Sequence, residues 1–315
     1  MHILLANPRG FCAGVKRAIQ IVNYALKIYK KPIYVKHEIV HNKYVINNFK
    51  KQGVIFIEKI IDVPPQSVLI FSAHGVSKSI YKEAYKRNLI IFNATCPLVT
   101  KVHKEVIMAS NNNIETIIIG HYGHPEIEGT IGQYTSSNGK IILVESKKDV
   151  SLINVKNPND LYCVTQTTLS IDYVNDILAE LKKRFPKIKT SKTKDICYAT
   201  TNRQEAVKIL AHQSDVVFII GSSNSSNSNR LSELSKDICE KTYLIEDFTD
   251  IKKSWLKNCK NIGITAGASS PDILIKQVIK YLKLLGAKSV SEIHGKKENI
   301  RFNIPKKLKI SVKLI

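Results

Sequence analysis

Long hydrophobic runs are absent from this sequence of 315 residues, although 43% of its residues are apolar. No stretch approaches the ~18 consecutive apolar residues that a membrane span needs, so we expect no membrane partner. The apolar segment within residues 1–9 is also shorter than the roughly 7 to 15 residues of a signal-peptide core. These absences predict a cytoplasmic protein in a reducing compartment. There, its six cysteines favour metal ligands, catalytic groups or buried fillers over disulfides.

Nucleotide-binding motifs are absent as well. The chain has neither the pattern G-x-x-x-x-G-K-[ST] nor a G-x-G-x-x-G that follows a strand. Because these motifs bind nucleoside triphosphates and dinucleotides, we expect no NAD, flavin or nucleotide site in the chain. Any phosphate site in this protein must be of another kind.

Acidic residues are scarce, since 26 Asp and Glu stand against 48 Lys and Arg and leave a net charge of +22. This excess suits a nucleic acid, an acidic protein partner or an anionic substrate, and the alternative is compositional drift. The basic residues do not gather in one dense run with interleaved aromatics, so no nucleic-acid partner is expected. Whether the charge is functional or compositional stays open.

Three cysteines stand out because each ends a short apolar strand and starts a helix-like segment. They are Cys12, Cys96 and Cys197. A polar position recurs after them at a nearly constant distance, since His41, His124 and Ser225 follow by 29, 28 and 28 residues. A further polar position recurs as His74, Thr167 and Ser269, which follow by 62, 71 and 72 residues. The recurrence predicts three copies of one unit, although any α/β protein has apolar strands followed by polar loops.

Apolar strands alternate with helix-like segments, which predicts an α/β fold with parallel sheets. The predicted strands are 3–5, 33–36, 68–71, 116–119, 161–164, 215–220 and 261–264, and a helix is predicted over 14–30. We expect three similar α/β domains around a pseudo-threefold axis, at 14–96, 97–193 and 194–285, with residues 1–13 completing the third. Residues 286–315 are expected to form a C-terminal tail packed over the domains, with extended segments around 300–304 and 308–314. The recurring polar loops follow strand ends, which is where parallel sheets bind ligands.

The three cysteines converge if that axis exists. Each begins a helix, and a helix N-terminus favours the thiolate form that binds metals. Structural zinc sites take cysteines in close pairs, whereas these three are single and 84 and 101 residues apart. An iron-sulfur cluster suits them better, and a cubane with three cysteine ligands leaves one iron open. The alternative is a buried filler, which is our reading of Cys163, Cys239 and Cys259.

The polar residues of the recurring loops are short hydrogen-bond donors without a permanent full charge, which suits a diphosphate. They are His41, His74, His124, Ser225, Ser226, Asn227 and Ser269. Glu126 lies among them and is the candidate proton donor, because a nearby anionic substrate raises the pKa of a carboxyl. The alternative for Glu126 is an ion pair with a neighbouring Lys or Arg.

Several motifs taken together resemble the 4-hydroxy-3-methylbut-2-enyl diphosphate reductase family, also called the IspH or LytB family. The resemblance runs from about residue 4 to residue 305, and no motif position departs from the family. The motifs are Gly10-Phe-Cys12-Ala-Gly-Val15, His74-Gly-Val76, Asn93-Ala-Thr-Cys96-Pro97, Gly123-His-Pro-Glu126, Thr165-Gln-Thr167-Thr168, Ala199-Thr-Thr-Asn-Arg203, Gly221-Ser-Ser-Asn-Ser225-Ser-Asn227-Ser-Asn-Arg-Leu231 and Ala266-Gly-Ala-Ser269.

This resemblance implies an enzyme that removes the hydroxyl of its allylic diphosphate substrate reductively, in the last step of the methylerythritol phosphate route to isoprenoids. It implies that Cys12, Cys96 and Cys197 hold one 4Fe-4S cluster with an open iron, where three α/β domains meet in a trefoil. The seven loop residues would bind the diphosphate, Thr167 would lie near the substrate hydroxyl, and Glu126 would donate the proton. The electron donor implied is a ferredoxin or flavodoxin, usually acidic.

Two other functions remain as alternatives. The first is an iron-sulfur hydro-lyase that removes hydroxide without electrons. The second is a basic RNA-binding protein whose cysteines hold structural zinc. Product formed without a reductant would favour the first, and zinc without acid-labile sulfide would favour the second.

Overall fold

Strands and helices alternate along the chain, and the predicted α/β class is confirmed. The computed structural model describes residues 1–191 and 195–308. Its strands are β1 (His2–Leu5), β2 (Ile33–Lys36), β3 (Val54–Ile57), β4 (Val68–Phe71), β5 (Ile90–Asn93), β6 (Glu115–Ile119), β7 (Ile141–Val144), β8 (Leu161–Thr165), β9 (Lys189–Thr190), β10 (Val216–Ile220), β11 (Thr242–Ile245), β12 (Asn261–Ala266) and β13 (Ser289–Glu292). Its helices are α1 (Ala13–Ile28), α2 (Lys43–Lys51), α3 (Lys78–Lys86), α4 (Pro97–Asn111), α5 (Pro125–Ile131), α6 (Lys147–Leu152), α7 (Ile171–Arg184), α8 (Tyr198–His212), α9 (Ser226–Lys236) and α10 (Asp272–Leu284). Within these residues, no helix combines the length and apolarity that crossing a membrane requires.

The strands form three sheets with one repeated order. Along the sheets the orders are β3-β2-β4-β5, β7-β6-β8-β9 and β11-β10-β12-β1-β13. In the described residues each neighbouring pair is parallel. Strand β1 therefore takes the place in the third sheet that β5 and β9 take in the other two. The threefold recurrence expected from the sequence is present in the strand order.

The chain divides into two compact units. The first comprises Met1–Val15, His41–Asn47 and Tyr198–Arg301, and the second comprises Lys16–Val40, Asn48–Cys197 and Phe302–Ile315. The five-stranded sheet lies in the first unit and the two four-stranded sheets in the second. The expected division into three domains and a tail, and their trefoil arrangement, stay predictions.

Helices cover both faces of the sheet in the first unit. Val216, Phe218 and Ile220 of β10 pack with apolar residues of α10, whereas Val217 and Ile219 pack with those of α8 and α9. Successive side chains of a strand point to opposite faces, so a strand covered on both sides is apolar throughout. All five residues of β10 are buried.

The sheet of β6 to β9 in the second unit is covered in the same way. Ile117 and Ile119 of β6 pack with α7, and Ile118 packs with α4 and α5. Burial on both faces leaves only the carboxyl ends of the strands open for chemistry, and the loops there carry the candidate residues.

The segment that we expected to be a tail begins with regular structure. Ser289–Glu292 forms the edge strand β13, which pairs with β1. Its sequence is Ser-Val-Ser-Glu, and all four residues are exposed. Because the segment contains a single apolar residue, it has no apolar run from which a strand could be predicted. The extended segment expected at 308–314 lies outside the described residues from 309 onward, as does the expected boundary between 193 and 194.

Candidate active site

Each candidate ligand cysteine lies between the fourth strand of a sheet and the helix that follows it. Cys12 lies between β1 and α1, Cys96 between β5 and α4, and Cys197 between β9 and α8. Each helix begins at the next residue, and each of the three cysteines is partly exposed. Unpaired backbone N–H groups at a helix start stabilise negative charge, so these positions suit thiolate ligands.

The other cysteines have a different environment. Cys163, Cys239 and Cys259 are buried. Burial raises the pKa of each of these thiols and so disfavours the thiolate that a metal requires. These properties agree with the expected role of buried fillers.

One backbone hydrogen bond recurs at all three candidate cysteines. The N–H of the cysteine donates to a carbonyl two residues beyond the third strand of the same sheet. The pairs are Cys12 to Ala268 at 3.3 Å, Cys96 to Ala73 at 3.0 Å and Cys197 to Thr167 at 3.0 Å. The recurrence therefore joins each cysteine to the loop that carries another candidate residue.

These hydrogen bonds change, by one residue, how the second copy is matched to the other two copies within the chain. Ser269 comes directly after the acceptor Ala268, and His74 comes directly after the acceptor Ala73. In the second copy the acceptor is Thr167, so the equivalent residue is Thr168. The spacing had aligned Thr167 there, which is wrong by one residue. Because Thr167 and Thr168 are adjacent and of the same type, the spacing alone could not distinguish them. The predicted role of Thr167 does not depend on that alignment, because Thr167 has contacts of its own.

Glu126 is buried in the first turn of α5, and Thr167 binds both of its carboxylate oxygens. The backbone N–H of Thr167 donates to Oε1 at 2.6 Å, and its hydroxyl donates to Oε2 at 3.0 Å. Burial raises the pKa of Glu126 to about 7, although the two hydrogen bonds from Thr167 act in the opposite direction. No Lys or Arg within the described residues pairs with Glu126, so the ion-pair alternative does not hold there.

Burial, rather than the charge of a substrate, is thus the physical cause of the raised pKa. The sequence alone predicts a shift caused by the charge of a bound substrate instead. A carboxyl with a pKa near neutrality can hold a proton at physiological pH and release it to a reacting group.

Two histidines adjoin Glu126 in the second unit. The Nδ1 atom of His124, which caps α5, accepts the backbone N–H of Glu126 at 3.1 Å. The ring of His74 meets the ring of His124 edge-on, with 5.8 Å between their centroids. This unit therefore brings His74, His124, Glu126 and Thr167 into one connected group.

A glycine sets the loop that carries His74. Gly75 has a φ of +84°, and a Cβ there would lie 2.6 Å from Cε1 of His103. Positive φ favours glycine, and the contact leaves no room for a side chain. His103 is itself buried, which lowers its pKa to about 4 and keeps the imidazole neutral. The His74 loop is therefore packed tightly against α4.

The first unit brings together a second group of candidate residues. Ser225 caps α9, and its Oγ lies 3.4 Å from Oγ of Ser269. The hydroxyl of Ser269 donates to the carbonyl of His41 at 2.8 Å. Ser226 is the first residue of α9, where backbone N–H groups are available to an anion.

Asn227 links this group to Cys12. Its Oδ1 accepts the N–H of Ala268 at 2.8 Å, and the carbonyl of Ala268 accepts the N–H of Cys12. Its Nδ2 is buried and has no hydrogen-bond partner in the described part of the chain. A buried donor without a partner is costly, so this amide is suited to a ligand that accepts hydrogen bonds.

An interior arginine supports the Cys12 loop, and sequence reasoning gave it no role. Arg203 of α8 is 1% exposed, and its Nη2 donates to the carbonyl of Gly10 at 2.8 Å. Its Nη1 donates to Glu298 at 3.0 Å. Arg203 stood in a family motif, but Glu298 lies 95 residues away, and nothing in the sequence pairs the two.

The candidate residues thus form two groups, one in each unit. The first unit holds Cys12, His41, Ser225, Ser226, Asn227 and Ser269, and the second holds Cys96, Cys197, His74, His124, Glu126 and Thr167. Among the residues that the structure describes, no three His, Cys, Asp or Glu side chains are arranged to hold a metal ion. That the three cysteines share one metal centre stays a prediction.

Comparison with known proteins defines the class. The family described as LytB protein matches residues 3–283. The chain is 57% identical over 315 residues to a 4-hydroxy-3-methylbut-2-enyl diphosphate reductase of Sodalis glossinidius, covering 100% of both chains. It is 59% identical to the enzyme of that name from Buchnera aphidicola subsp. Acyrthosiphon pisum, covering 100% of this chain and 98% of the relative.

Solved structures agree with this result. The E-1-hydroxy-2-methyl-but-2-enyl-4-diphosphate reductase of Plasmodium falciparum superposes with a TM-score of 0.92 at 40% identity, covering 100% of this chain and 98% of the other. A structure described as (E)-4-hydroxy-3-methyl-but-2-enyl diphosphate reductase, the terminal enzyme of the non-mevalonate pathway, has a TM-score of 0.66 at 33% identity. It covers 90% of this chain and 99% of the other. The fold and these comparisons therefore define an α/β oxidoreductase. The chain belongs to the LytB family.

Proposed function

We propose that the chain converts 4-hydroxy-3-methylbut-2-enyl diphosphate to isopentenyl diphosphate and dimethylallyl diphosphate, the last step of the methylerythritol phosphate route. The names of its full-length relatives support the substrate and the reaction. The structural observation that carries the proposal is Glu126, a buried carboxyl with a pKa of about 7 that Thr167 holds in place. We expect the enzyme to act in the cytoplasm.

The diphosphate contacts are assigned to the polar loop residues. They are His41, Ser225, Ser226, Asn227 and Ser269 of the first unit and His74 and His124 of the second. Hydroxyl, amide and imidazole donors bind phosphate oxygens through charge-assisted hydrogen bonds. The unpartnered Nδ2 of buried Asn227 supports this assignment.

Changing Asn227 to Asp tests the diphosphate assignment. The Oδ1 acceptor for Ala268 remains in Asn227→Asp, so the Cys12 loop keeps its hydrogen bond, while the buried donor becomes an anion. We expect KM for the substrate to rise at least about tenfold, because a charge-assisted hydrogen bond is replaced by repulsion. Steady-state kinetics measure the change. Asn175→Asp, the same change at an exposed position of α7, is the matched control, and an unchanged KM in Asn227→Asp would remove Asn227 from the diphosphate site.

Cys12, Cys96 and Cys197 are the residues that we propose to hold a 4Fe-4S cluster. Their chemistry fits this group, because three partly exposed thiols at helix starts are soft anionic ligands, whereas the other cysteines are buried. When bound, such a cluster supplies electrons one at a time and, at the iron without a cysteine, a Lewis acid for the substrate hydroxyl.

The reaction needs two electrons and two protons for each substrate and releases one water. We assign the first proton to Glu126, whose carboxyl protonates the departing hydroxyl oxygen. Thr167 orients that carboxyl through its N–H and its hydroxyl, and we place Thr167 beside the substrate hydroxyl. The allylic species that remains takes a proton at either end, which yields the two products.

An external one-electron carrier must supply the electrons, because we find no flavin or nicotinamide motif in the chain. We propose a ferredoxin or flavodoxin of acidic surface. The net charge of +22 supports this choice, since opposite charge accelerates the encounter of two proteins.

Anaerobic turnover of the reconstituted enzyme tests the function. With dithionite-reduced methyl viologen and 4-hydroxy-3-methylbut-2-enyl diphosphate, we expect both five-carbon diphosphate products, and none when the reductant is omitted. A diene diphosphate formed without a reductant would identify a hydro-lyase instead, because loss of water alone leaves two hydrogen atoms fewer than either five-carbon product contains. Zinc in place of iron and acid-labile sulfide would identify a structural metal site and overturn the redox proposal.

A further inference from the structure

An open groove of about 920 Å³ in the second unit lies along α4 and the C-terminal segment. We call it the α4 groove. Tyr81, Phe92 and Met108 supply apolar surface to it. Met108 and Tyr81 are 49% and 42% exposed and lie in the same groove. An apolar surface of this kind, bordered by polar residues, is characteristic of a protein contact.

The groove adjoins a candidate cluster ligand. Its lining includes Thr95 and Pro97, the residues on either side of Cys96. Arg17 also lines it, and the guanidinium donates to the carbonyls of Thr95 at 3.0 Å and Asn93 at 3.2 Å. Part of the groove wall is therefore formed by the residues that flank Cys96.

The border of the groove is positively charged. Five basic residues line it, namely Arg17, Lys101, Lys104, Lys306 and Lys307, against the single acid Glu105. Lys101 lies 3.7 Å from Glu105 and 3.3 Å from Asp195, so its charge is offset by these two acids and the positive charge of the border comes from the other basic residues. Lys104 and Lys306 are exposed at the border. The net charge of the lining is thus positive beside Thr95 and Pro97, the residues that flank the candidate ligand Cys96.

The arrangement favours an acidic protein over a small anion. Arg17 directs N–H groups at the carbonyls of Asn93, Thr95 and Asn303, so it is not presented as a fork for a phosphate. Exposed lysines on flexible stems form no preorganised anion site. They do produce the long-range field that steers an acidic partner and orients it on contact.

We propose that the α4 groove is the docking surface for an acidic one-electron carrier protein, which delivers electrons beside Cys96. This inference rests on the proposed function, because the reductase needs an external donor. Each encounter removes one electron from the carrier and passes it to the enzyme, so two encounters support one turnover. The contact is of the small, charge-steered class that transient electron-transfer partners use.

Reversal of two border charges tests the docking surface. In Lys104→Glu/Lys306→Glu, we expect KM for an acidic 2Fe-2S ferredoxin, kept reduced by NADPH and its reductase, to rise at least about tenfold. Turnover with reduced methyl viologen should stay within about twofold of the unaltered enzyme. The matched control is Lys182→Glu/Lys187→Glu, which makes the same change in net charge at exposed lysines outside the groove.

Binding of oxidised ferredoxin, measured by calorimetry, separates this inference from the proposed function because it needs no turnover. Weaker binding by the groove variant alone supports the docking surface, even if viologen-driven turnover fails. Equal weakening by both double variants would show a general charge effect and overturn the α4 groove as the docking surface. An unaltered enzyme that binds no acidic ferredoxin would overturn it as well, whatever the viologen assay shows.

Discussion

Glu126→Gln is expected to retain the iron-sulfur cluster and lose at least about two orders of magnitude in turnover. The loss follows because the amide cannot donate a proton to a leaving oxygen, and general acid catalysis contributes about 10²- to 10⁴-fold. The amide has the shape of the carboxyl, so its oxygen can still accept the N–H of Thr167, and its NH2 group can donate to the Thr167 hydroxyl in place of the reverse bond. Viologen-driven product formation measures the loss, and iron and acid-labile sulfide content report the cluster. Glu128→Gln, at an exposed position two residues further along α5, is the matched control.

The pH dependence sharpens this test. The pKa of Glu126 is raised to about 7, so the proton-donating form is depleted as the pH rises through that value. We expect kcat/KM of the unaltered enzyme to fall above about pH 7 and the Gln variant to lack that limb. Near-normal turnover in Glu126→Gln would show that the proton comes from another group.

Stability should respond in the opposite sense. Because the folded-state pKa of Glu126 lies above the unfolded value, folding is opposed once the carboxyl ionises, and stability falls between about pH 4.5 and 7. Glu126→Gln removes that opposition. Its thermal midpoint should therefore exceed that of the unaltered chain above pH 7 and match it below pH 4. A midpoint lowered at every pH would indicate a packing defect and disqualify the variant as a kinetic test.

Cys197→Ala is expected to abolish both cluster and activity. Each of the three proposed ligands is the sole thiol of its strand-to-helix junction, so no neighbouring cysteine can replace it. Iron and acid-labile sulfide after anaerobic reconstitution should fall to background, and the visible absorption that bleaches on reduction should vanish.

Cys163→Ala is the control for the loss of a cysteine. Cys163 is buried in β8, and burial disfavours its thiolate, so its removal should leave iron and sulfide content unchanged. The expected cost is a modest loss of stability from the cavity. A full cluster in Cys197→Ala would exclude Cys197 from the ligand set.

The sequence predicted the strands that precede the site well. Ile33–Lys36 and Val68–Phe71 match their predicted bounds, because short apolar runs buried on both faces leave a clear signal. The helix α2 and the strand β3 between them were not predicted. Strand β13 is exposed and carries no apolar run, so only its pairing with β1 defines it.

The sequence likewise predicted some features of the candidate site and not others. The candidate residues could be selected from the sequence because their spacing recurs and their motifs match a family. The partners of Glu126 were not readable, since Thr167 lies 41 residues away and reaches the carboxyl only through the packing of β8 beside β6. The same holds for Arg203 and Glu298, and for the one-residue shift that places Thr168 in the position of Ser269.

The sequence by itself determined the α/β class, the threefold recurrence, the family and the residue types of the site, because periodicity, spacing and motifs are properties of order along the chain. Only the tertiary structure decided that Glu126 is buried and hydrogen-bonded to Thr167, and that the Nδ2 donor of Asn227 is buried without a partner in the described residues. Burial depends on what packs around a group, and packing joins residues that are distant in sequence. The pKa of Glu126 therefore has its origin in the fold.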